Sequence, residues 1–312
     1  MPSPNSPPLV AIVGPTAVGK TEIAIQLAER IDGEIVSADS RLLYRGMDIG
    51  TAKPSVTDRA RVPHHLIDVA DPDEIWSLAV FQDAAQKAIA DIHSRGKLPL
   101  LVGGTGQYLR AILEGWVPPK LEARPELRKA LEDWANEIGK DGLHARLTRL
   151  DPDAARTIDP RNLRRTIRAL EVIFSTGIKF SESRGRIGSL YRVIQIGLTR
   201  PRAELYRRIE DRIAAMLQEG WLDEVRSLIA KGYSAELPSM SAIGYGQLIR
   251  HLHGEITIDE ARAEISHATR MFVRHQANWF KKNDPNNHWF EAGNVDPVPK
   301  MEKLVRNSLV RI

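Results

Sequence analysis

Gly14-Pro15-Thr16-Ala17-Val18-Gly19-Lys20-Thr21 decides how the rest of the chain is read. The stretch fits G-x-x-x-x-G-K-[ST], a loop whose backbone N–H groups face phosphate oxygens. Its lysine adds a mobile positive charge and its threonine a hydroxyl for Mg²⁺. The flanks agree with the motif. Leu9-Val10-Ala11-Ile12-Val13 is wholly apolar, as a strand covered on both faces of a parallel sheet must be. Behind the loop, Ile23, Ile25, Leu27 and Ala28 alternate with Glu22, Gln26, Glu29 and Arg30 at helical spacing. A strand, a glycine loop and a helix start together imply binding of a di- or triphosphate at the helix N-terminus.

The same alternation continues outward. Gly33–Asp39 reads as a second strand ending on Asp39, and Leu98–Val102 as a third that runs into Gly103-Gly104-Thr105. Ser77–His93 between them carries a helical apolar face, Leu78, Phe81, Ala85, Ala88, Ile89 and Ile92. Ser40–Pro54 has no lasting period and reads partly as loop, and Pro63–Asp68 as a short strand or turn. The fold class expected is α/β, a P-loop-type parallel sheet flanked by helices, with a mainly helical insertion. Ligands of such sheets gather where the strands end, so the P-loop, Asp39 and Thr105 are expected to converge. Residues 8–118 with 191–312 should form the core, and 119–190, polar and Arg-rich with no strand signal, the insertion. Beyond it, Tyr191–Leu198 resembles a strand, and Arg202–Lys231 two helices about Gly220. A last long helix runs from Asp259 to about Lys281, with Met271, Phe272 and Trp279 as apolar anchors.

The totals narrow the chemistry. The 312 residues carry a net charge of +4, which permits a nucleic-acid partner without demanding one. There is no cysteine, which excludes disulfides, thiolate nucleophiles and zinc–thiolate sites. The N-terminal residues lack the charge and apolar core of a signal peptide, and no run suits a membrane span, so a cytoplasmic protein is expected. His64-His65 cannot turn both rings to one ligand in an extended chain, and His267, His275 and His288 have no metal spacing.

Asp39, at a strand end beside a phosphate loop, can hold a magnesium ion, act as a general base or cap the next turn. The third strand ends in Gly-Gly-Thr without a carboxylate, which weakens an ordinary ATPase reading. Thr105 offers a hydroxyl at the same edge. In Asp159-Pro160-Arg161-Asn162-Leu163-Arg164-Arg165-Thr166-Ile167-Arg168, Asp159 can cap a helix with Pro160 in its first turn. Arg161, Arg164, Arg165 and Arg168 then share one face, opposite Leu163, Ile167, Leu170 and Phe174. An arginine face without interspersed acids favours a polyanion contact. Arg270, Arg274 and Lys281 repeat the theme on the last helix.

Taken together these pieces resemble the tRNA dimethylallyltransferases, over about residues 9–290. The resemblance rests on the Gly-Pro-Thr-Ala-x-Gly-Lys-Thr loop, Asp39-Ser40, the long run Tyr44–Pro54, His64-His65-Leu66-Ile67-Asp68, and Gly103-Gly104-Thr105-Gly106-x-Tyr108. Arg168-Ala169-Leu170-Glu171, Gly244-Tyr245, Thr269-Arg270 and Arg274-x-Gln276-x-x-Trp279-Phe280 extend it. It implies transfer of a dimethylallyl group from its diphosphate to the N6 amine of the adenosine 3′-adjacent to the anticodon. By that resemblance Gly14, Pro15, Thr16, Ala17, Val18, Gly19, Lys20 and Thr21 hold the prenyl diphosphate, with Mg²⁺ on Thr21. Asp39 is the general base, and Lys20 and Thr105 serve the leaving group, Thr105 also meeting the adenosine. Asp39, Ser40, Arg41 and Leu42 align with tRNA-contacting stretches. So do Arg128, then Arg164, Arg165, Thr166, Ile167 and Arg168, and Ser241, Ala242, Ile243, Gly244, Tyr245 and Gly246. The expected partners are the tRNA anticodon stem-loop and dimethylallyl diphosphate, with no membrane and no zinc, the chain acting as a monomer. Leu42, Leu163, Gly246 and His275 depart from the residues frequent there, Gly246 bearing on one tRNA contact. A small-molecule kinase, a nucleotide-gated RNA-binding switch and a prenyltransferase of free AMP are the competing readings.

Overall fold

The computed structural model describes residues 6–119, 124–183, 185–281, 284, 286–293 and 295–310. The apolar run before the P-loop is β1 (Pro8–Val13), in which Leu9 to Val13 have no exposed surface. Then follow α1 (Lys20–Ile31), β2 (Gly33–Ser37), α2 (Val56–Arg61), β3 (His64–His65), α3 (Leu78–Ser94), β4 (Leu98–Gly103) and α4 (Gly106–Leu113). Ser77 caps α3 by accepting the N–H of Val80. β5 (Trp116–Val117), α5 (Pro125–Leu150), α6 (Pro152–Thr157), α7 (Leu163–Thr176) and β6 (Gly185–Arg186) come next. The chain closes with β7 (Arg192–Thr199), α8 (Arg202–Gln218), α9 (Trp221–Ala230), α10 (Tyr245–Leu252), α11 (Ile258–Gln276), β8 (Asn287–Glu291) and α12 (Val298–Val310).

Six strands make one sheet in the order β3-β2-β4-β1-β7-β8, every neighbouring pair parallel. Val13 at the end of β1 lies opposite Gly103 on one side and Gly197 on the other. The loops leaving these strands therefore open on one edge. β2 stops at Ser37, two residues short of the expected end, so Asp39 stands in the turn beyond it.

The chain forms two compact units, Met1–Leu113 with Ser189–Ile312, and Glu114–Gly188. The first holds the sheet and its core. The second is helical, built around Leu131, Leu143, Leu147, Ile158, Ile167, Leu170 and Phe180. Its helix α5 is interrupted at Gly139, whose φ of +76° no helix interior accommodates. Two expectations are corrected here. Residues 120–190 do contain a strand, β6, which pairs antiparallel with β5 over too few residues to leave a sequence period. And α7 starts at Leu163 with Asn162 as its cap, the Asn162 side chain accepting the N–H of Arg165. Asp159 instead accepts from the N–H and guanidinium of Arg161, so Arg161 lies outside the helix.

The last long helix is also shorter than expected. α11 ends at Gln276, and Lys281 lies beyond it. Its buried face is Ala261, Ile265 and Val273, whereas Met271 and Phe272 are 36% and 41% exposed and do not anchor it, and Trp279, 37% exposed, lies beyond the helix with its ring against Gly106.

Candidate active site

The P-loop turns from β1 into α1 with Gly19, at φ +105°, as the residue before the helix. That left-handed conformation suits glycine, and α1 begins directly after it with first-turn N–H groups that no helical carbonyl satisfies. The Lys20 ammonium folds inward and donates to the carbonyls of Gly14 and Pro15, each at 2.9 Å. Burial pushes its pKa down to about 8; Asp39 pulls the other way, and Arg212 adds to the depression. Lys20, Asp39 and Arg212 thus feel one another's charge across the end of the sheet. Burial also lowers the pKa of Arg212, again opposed by Asp39. Thr21 is exposed at the start of α1.

Asp39 sits in a turn that its own side chain shapes, Oδ1 accepting the N–H of Arg41 at 2.9 Å. Thr105 faces this turn. Its Oγ1 accepts the Ser40 N–H at 3.1 Å and its own N–H donates to the Ala38 carbonyl. The expected convergence of P-loop, Asp39 and Thr105 is therefore met in the first unit.

Two other stretches meet there. The Arg41 guanidinium donates to the carbonyls of Pro238 and Ser239 and to Ser241 Oγ, joining the 39–42 turn to the 241–246 stretch. Ser241 and Gly246 are exposed, Ile243 and Leu42 half-buried, but Ala242, Gly244 and Tyr245 are buried. Tyr245 donates its hydroxyl to Glu224, which also accepts the N–H groups of Asp48, Ile49 and Gly50. Burial and that carboxylate push the Tyr245 phenol well above its usual range. Its side chain holds the 44–54 loop in place. A cavity of about 440 Å³ lies beside that loop, lined by Asp48, Ile49, Lys53, Arg59, Arg212 and Met216 among others.

In the second unit, Arg164 is exposed and Arg165 half-buried, while Thr166 and Ile167 are buried in the core of that unit. The arginine face is less bare than the spacing suggested. Arg168 and Arg128 both donate to Oε2 of the buried Glu171 at 2.8 Å, and Arg161 pairs with Asp159. The two adjacent histidine rings face different partners: His64 Nδ1 lies against the Val62 carbonyl and His65 Nε2 against Glu34. Among the described residues no group of three or more His, Cys, Asp or Glu side chains could hold a metal. Nor is any described helix long and apolar enough to cross a membrane.

The IPP transferase family model matches residues 42–283. A tRNA dimethylallyltransferase of Roseiflexus castenholzii is 53% identical over 301 residues, 96% of this chain and 98% of the relative. Another, of Roseiflexus sp. (strain RS-1), is 55% identical over 275 residues, 88% and 90% of the two chains. The chain belongs to the tRNA dimethylallyltransferase family.

Solved structures agree with this membership. A tRNA isopentenylpyrophosphate transferase from Bacillus halodurans matches with TM-score 0.72 at 42% identity, over 96% of each chain. A eukaryotic dimethylallyltransferase acting on tRNA matches with TM-score 0.79 at 28% identity, over 98% of this chain and 78% of that one. In this member of the dimethylallyltransferase family the motifs left three cations of the site unseen. Arg208 Nε donates to the Ala17 carbonyl at 2.8 Å, Arg200 Nε to that of Val18 at 3.4 Å, and Arg212 lies one turn beyond Arg208 on α8. A signal existed: Arg208 and Arg212 are four apart, off the stripe of Leu205, Ile209, Ile213 and Met216 that α8 buries. What was lacking was any hint that this face meets a loop some 190 residues earlier.

Proposed function

We propose that this chain transfers a dimethylallyl group from dimethylallyl diphosphate to the exocyclic N6 amine of the adenosine 3′-adjacent to the anticodon in tRNA, releasing diphosphate. One observation carries the reading beyond family membership. The Asp39 carboxylate shares one electrostatic site with Lys20 and Arg212 and is tied through Ser40 to Thr105, so a proton acceptor stands beside an anion-binding loop.

The chemistry follows from that placement. An adenine amine is a weak nucleophile because its lone pair is delocalised into the ring. The allylic donor compensates, since its carbon tolerates developing positive charge as the carbon–oxygen bond breaks. The protein's task is to stabilise the departing diphosphate, which Lys20, Arg212 and the N–H groups at the start of α1 do by fixed electrostatics. As the nitrogen–carbon bond forms, the amine proton becomes acidic and passes to Asp39. In this reading Thr105, bonded to Ser40 beside Asp39, bonds the leaving oxygen or the adenosine. The target base must leave its stack to reach this depth.

Mg²⁺ belongs to the same reading, and the donor set fits it. Thr21 presents an exposed hydroxyl at the helix start, and diphosphate oxygens would complete the shell, in the manner Mg²⁺ favours. When bound, the ion screens the charge of the diphosphate. For the tRNA anticodon stem-loop, Arg164 and Arg165 of α7 are the cations best placed in the second unit, with Arg128 and Arg168 held toward Glu171. The reading places the enzyme in the cytoplasm as a monomer, without zinc, consistent with a cysteine-free chain.

The test is a product assay. The protein is incubated with Mg²⁺, dimethylallyl diphosphate and unmodified tRNA, then the RNA is digested for nucleoside mass spectrometry, with AMP and ATP in parallel. Prenylated adenosine from tRNA alone is expected. Prenylated AMP, or ATP turnover without prenyl transfer, would overturn the proposal.

A further inference from the structure

One side chain joins the two glycine-rich loops of the site. Gln276 is the last residue of α11 and is 7% exposed. Its Oε1 accepts the N–H of Thr16 in the P-loop at 2.8 Å. Its Nε2 donates to the carbonyl of Gly104 at 3.1 Å. A single amide therefore spans from the end of β1 to the end of β4.

The loop after β4 is built around this contact. A Cβ at Gly104 would stand 2.4 Å from Gln276 Nε2, and one at Gly106 would stand 2.1 Å from the Trp279 ring. Real Cβ atoms never come so close, so Gly104 makes room for the end of α11 and Gly106 for the segment just beyond it. By composition alone they would be assigned to the approach of a ligand. The hydrogen bonding continues on the far side. Thr105 follows Gly104, and its Oγ1 accepts the N–H of Ser40, the neighbour of Asp39. P-loop, Gln276, Thr105 and the Asp39 turn form one connected path.

We propose that Gln276 is a positioning residue of the transfer reaction, setting the distance between the loop that holds the leaving diphosphate and the turn that carries the proton acceptor. The inference rests on the function proposed above. The residue type is suited to the task. The position demands one acceptor and one donor in a buried place, and a neutral amide offers both without the cost of burying a charge. A carboxylate would only accept and would face the Gly104 carbonyl. The two substrates are held by separate loops, so an error in loop spacing is felt where the bonds change. Misplacement by about 1 Å costs on the order of 100-fold in rate. Ground-state binding of either substrate alone does not require the spacing, so kcat should suffer more than KM.

The experiment uses the full chain with dimethylallyl diphosphate, Mg²⁺ and unmodified tRNA. Gln276→Met keeps length and volume but neither hydrogen bond. It should lose roughly 30- to 100-fold in kcat, with KM for the donor and Kd for tRNA within about threefold. Gln276→Glu should be similarly impaired at neutral pH. Between about pH 8 and about pH 6 its kcat relative to wild type should rise by about tenfold, because burial at this position raises the carboxyl's pKa and its protonated form regains a donor for Gly104. A role in stability alone would lower melting temperature without a pH-dependent ratio. A Gln276→Met kcat within about twofold of wild type, or a flat Gln276→Glu ratio, overturns the proposal. If Gln276→Met does not fold, the Gln276→Glu ratio decides. A wild type that yields no prenylated adenosine would instead sink the function itself, and this inference with it.

Discussion

Lys20 shows how burial tunes a charge that the site must use. With its ammonium against the carbonyls of Gly14 and Pro15, desolvation draws its pKa to about 8. Diphosphate binds the charged form, which predominates below that pH and is lost above it. Donor affinity should therefore be level between about pH 7 and about pH 8, where the diphosphate is fully ionised, and fall roughly tenfold per unit above it. Titration calorimetry with dimethylallyl diphosphate checks this, and Lys20→Met should bind weakly at every pH; a wild-type affinity level to about pH 10 would contradict the assignment. At Asp39 the useful variant is Asp39→Asn, which keeps an acceptor for the Arg41 N–H and removes the base. Its kcat should fall by roughly 10²–10⁴ with tRNA affinity within about threefold, read by product formation and filter binding. Retained turnover would mean that another group takes the proton. Arg212→Gln removes a cation from beside Lys20 and Asp39 without touching the P-loop. A rise of about tenfold or more in KM for the donor is expected, against little change in tRNA affinity.

At the scale of the element, the regular pieces of the core were legible and their ends were not. β1, α1, β4 and α8 stand where their apolar periods put them, because a period is local information. The start of α7 depends on a competition the sequence leaves open: Asp159 and Asn162 are both good caps. Asn162 takes the role and Asp159 closes on Arg161 instead. Asn162→Ala should therefore weaken the first turn of α7 by about 1 kcal/mol, seen as roughly fivefold faster amide exchange there. Asp159→Ala should leave those amides unchanged, and equal effects of the two would return the cap to Asp159. The end of α11 is hidden in the sequence for a similar reason. Trp279 and Phe280 keep an apolar look beyond Gln276, yet Trp279 packs on Gly106 from outside the helix.

Over the whole molecule, charge is arranged differently in the two units. In the first, cations from α8 and the end of β7 surround the P-loop. In the second, half of the expected arginine face is paired from within, Arg168 sharing the single carboxylate of Glu171 with Arg128, and Arg161 closed on Asp159. RNA affinity should then depend most on Arg164 and Arg165. Replacing both by alanine should flatten the salt dependence of tRNA binding by roughly 0.7–0.9 in log–log slope for each phosphate that is no longer neutralised. An unchanged slope, measured across a salt series, would take α7 out of the interface. The phosphate loop, the parallel sheet and the edge where Asp39 and Thr105 meet it are legible in the chain, because each is written in a short motif or a local period. Which distant side chains complete that edge is set by packing. Arg200, Arg208 and Gln276 lie far along the chain from the loops they touch, as Arg212 does from the Asp39 charge it feels, and nothing local to them records an approach made by the packing of α8 and α11.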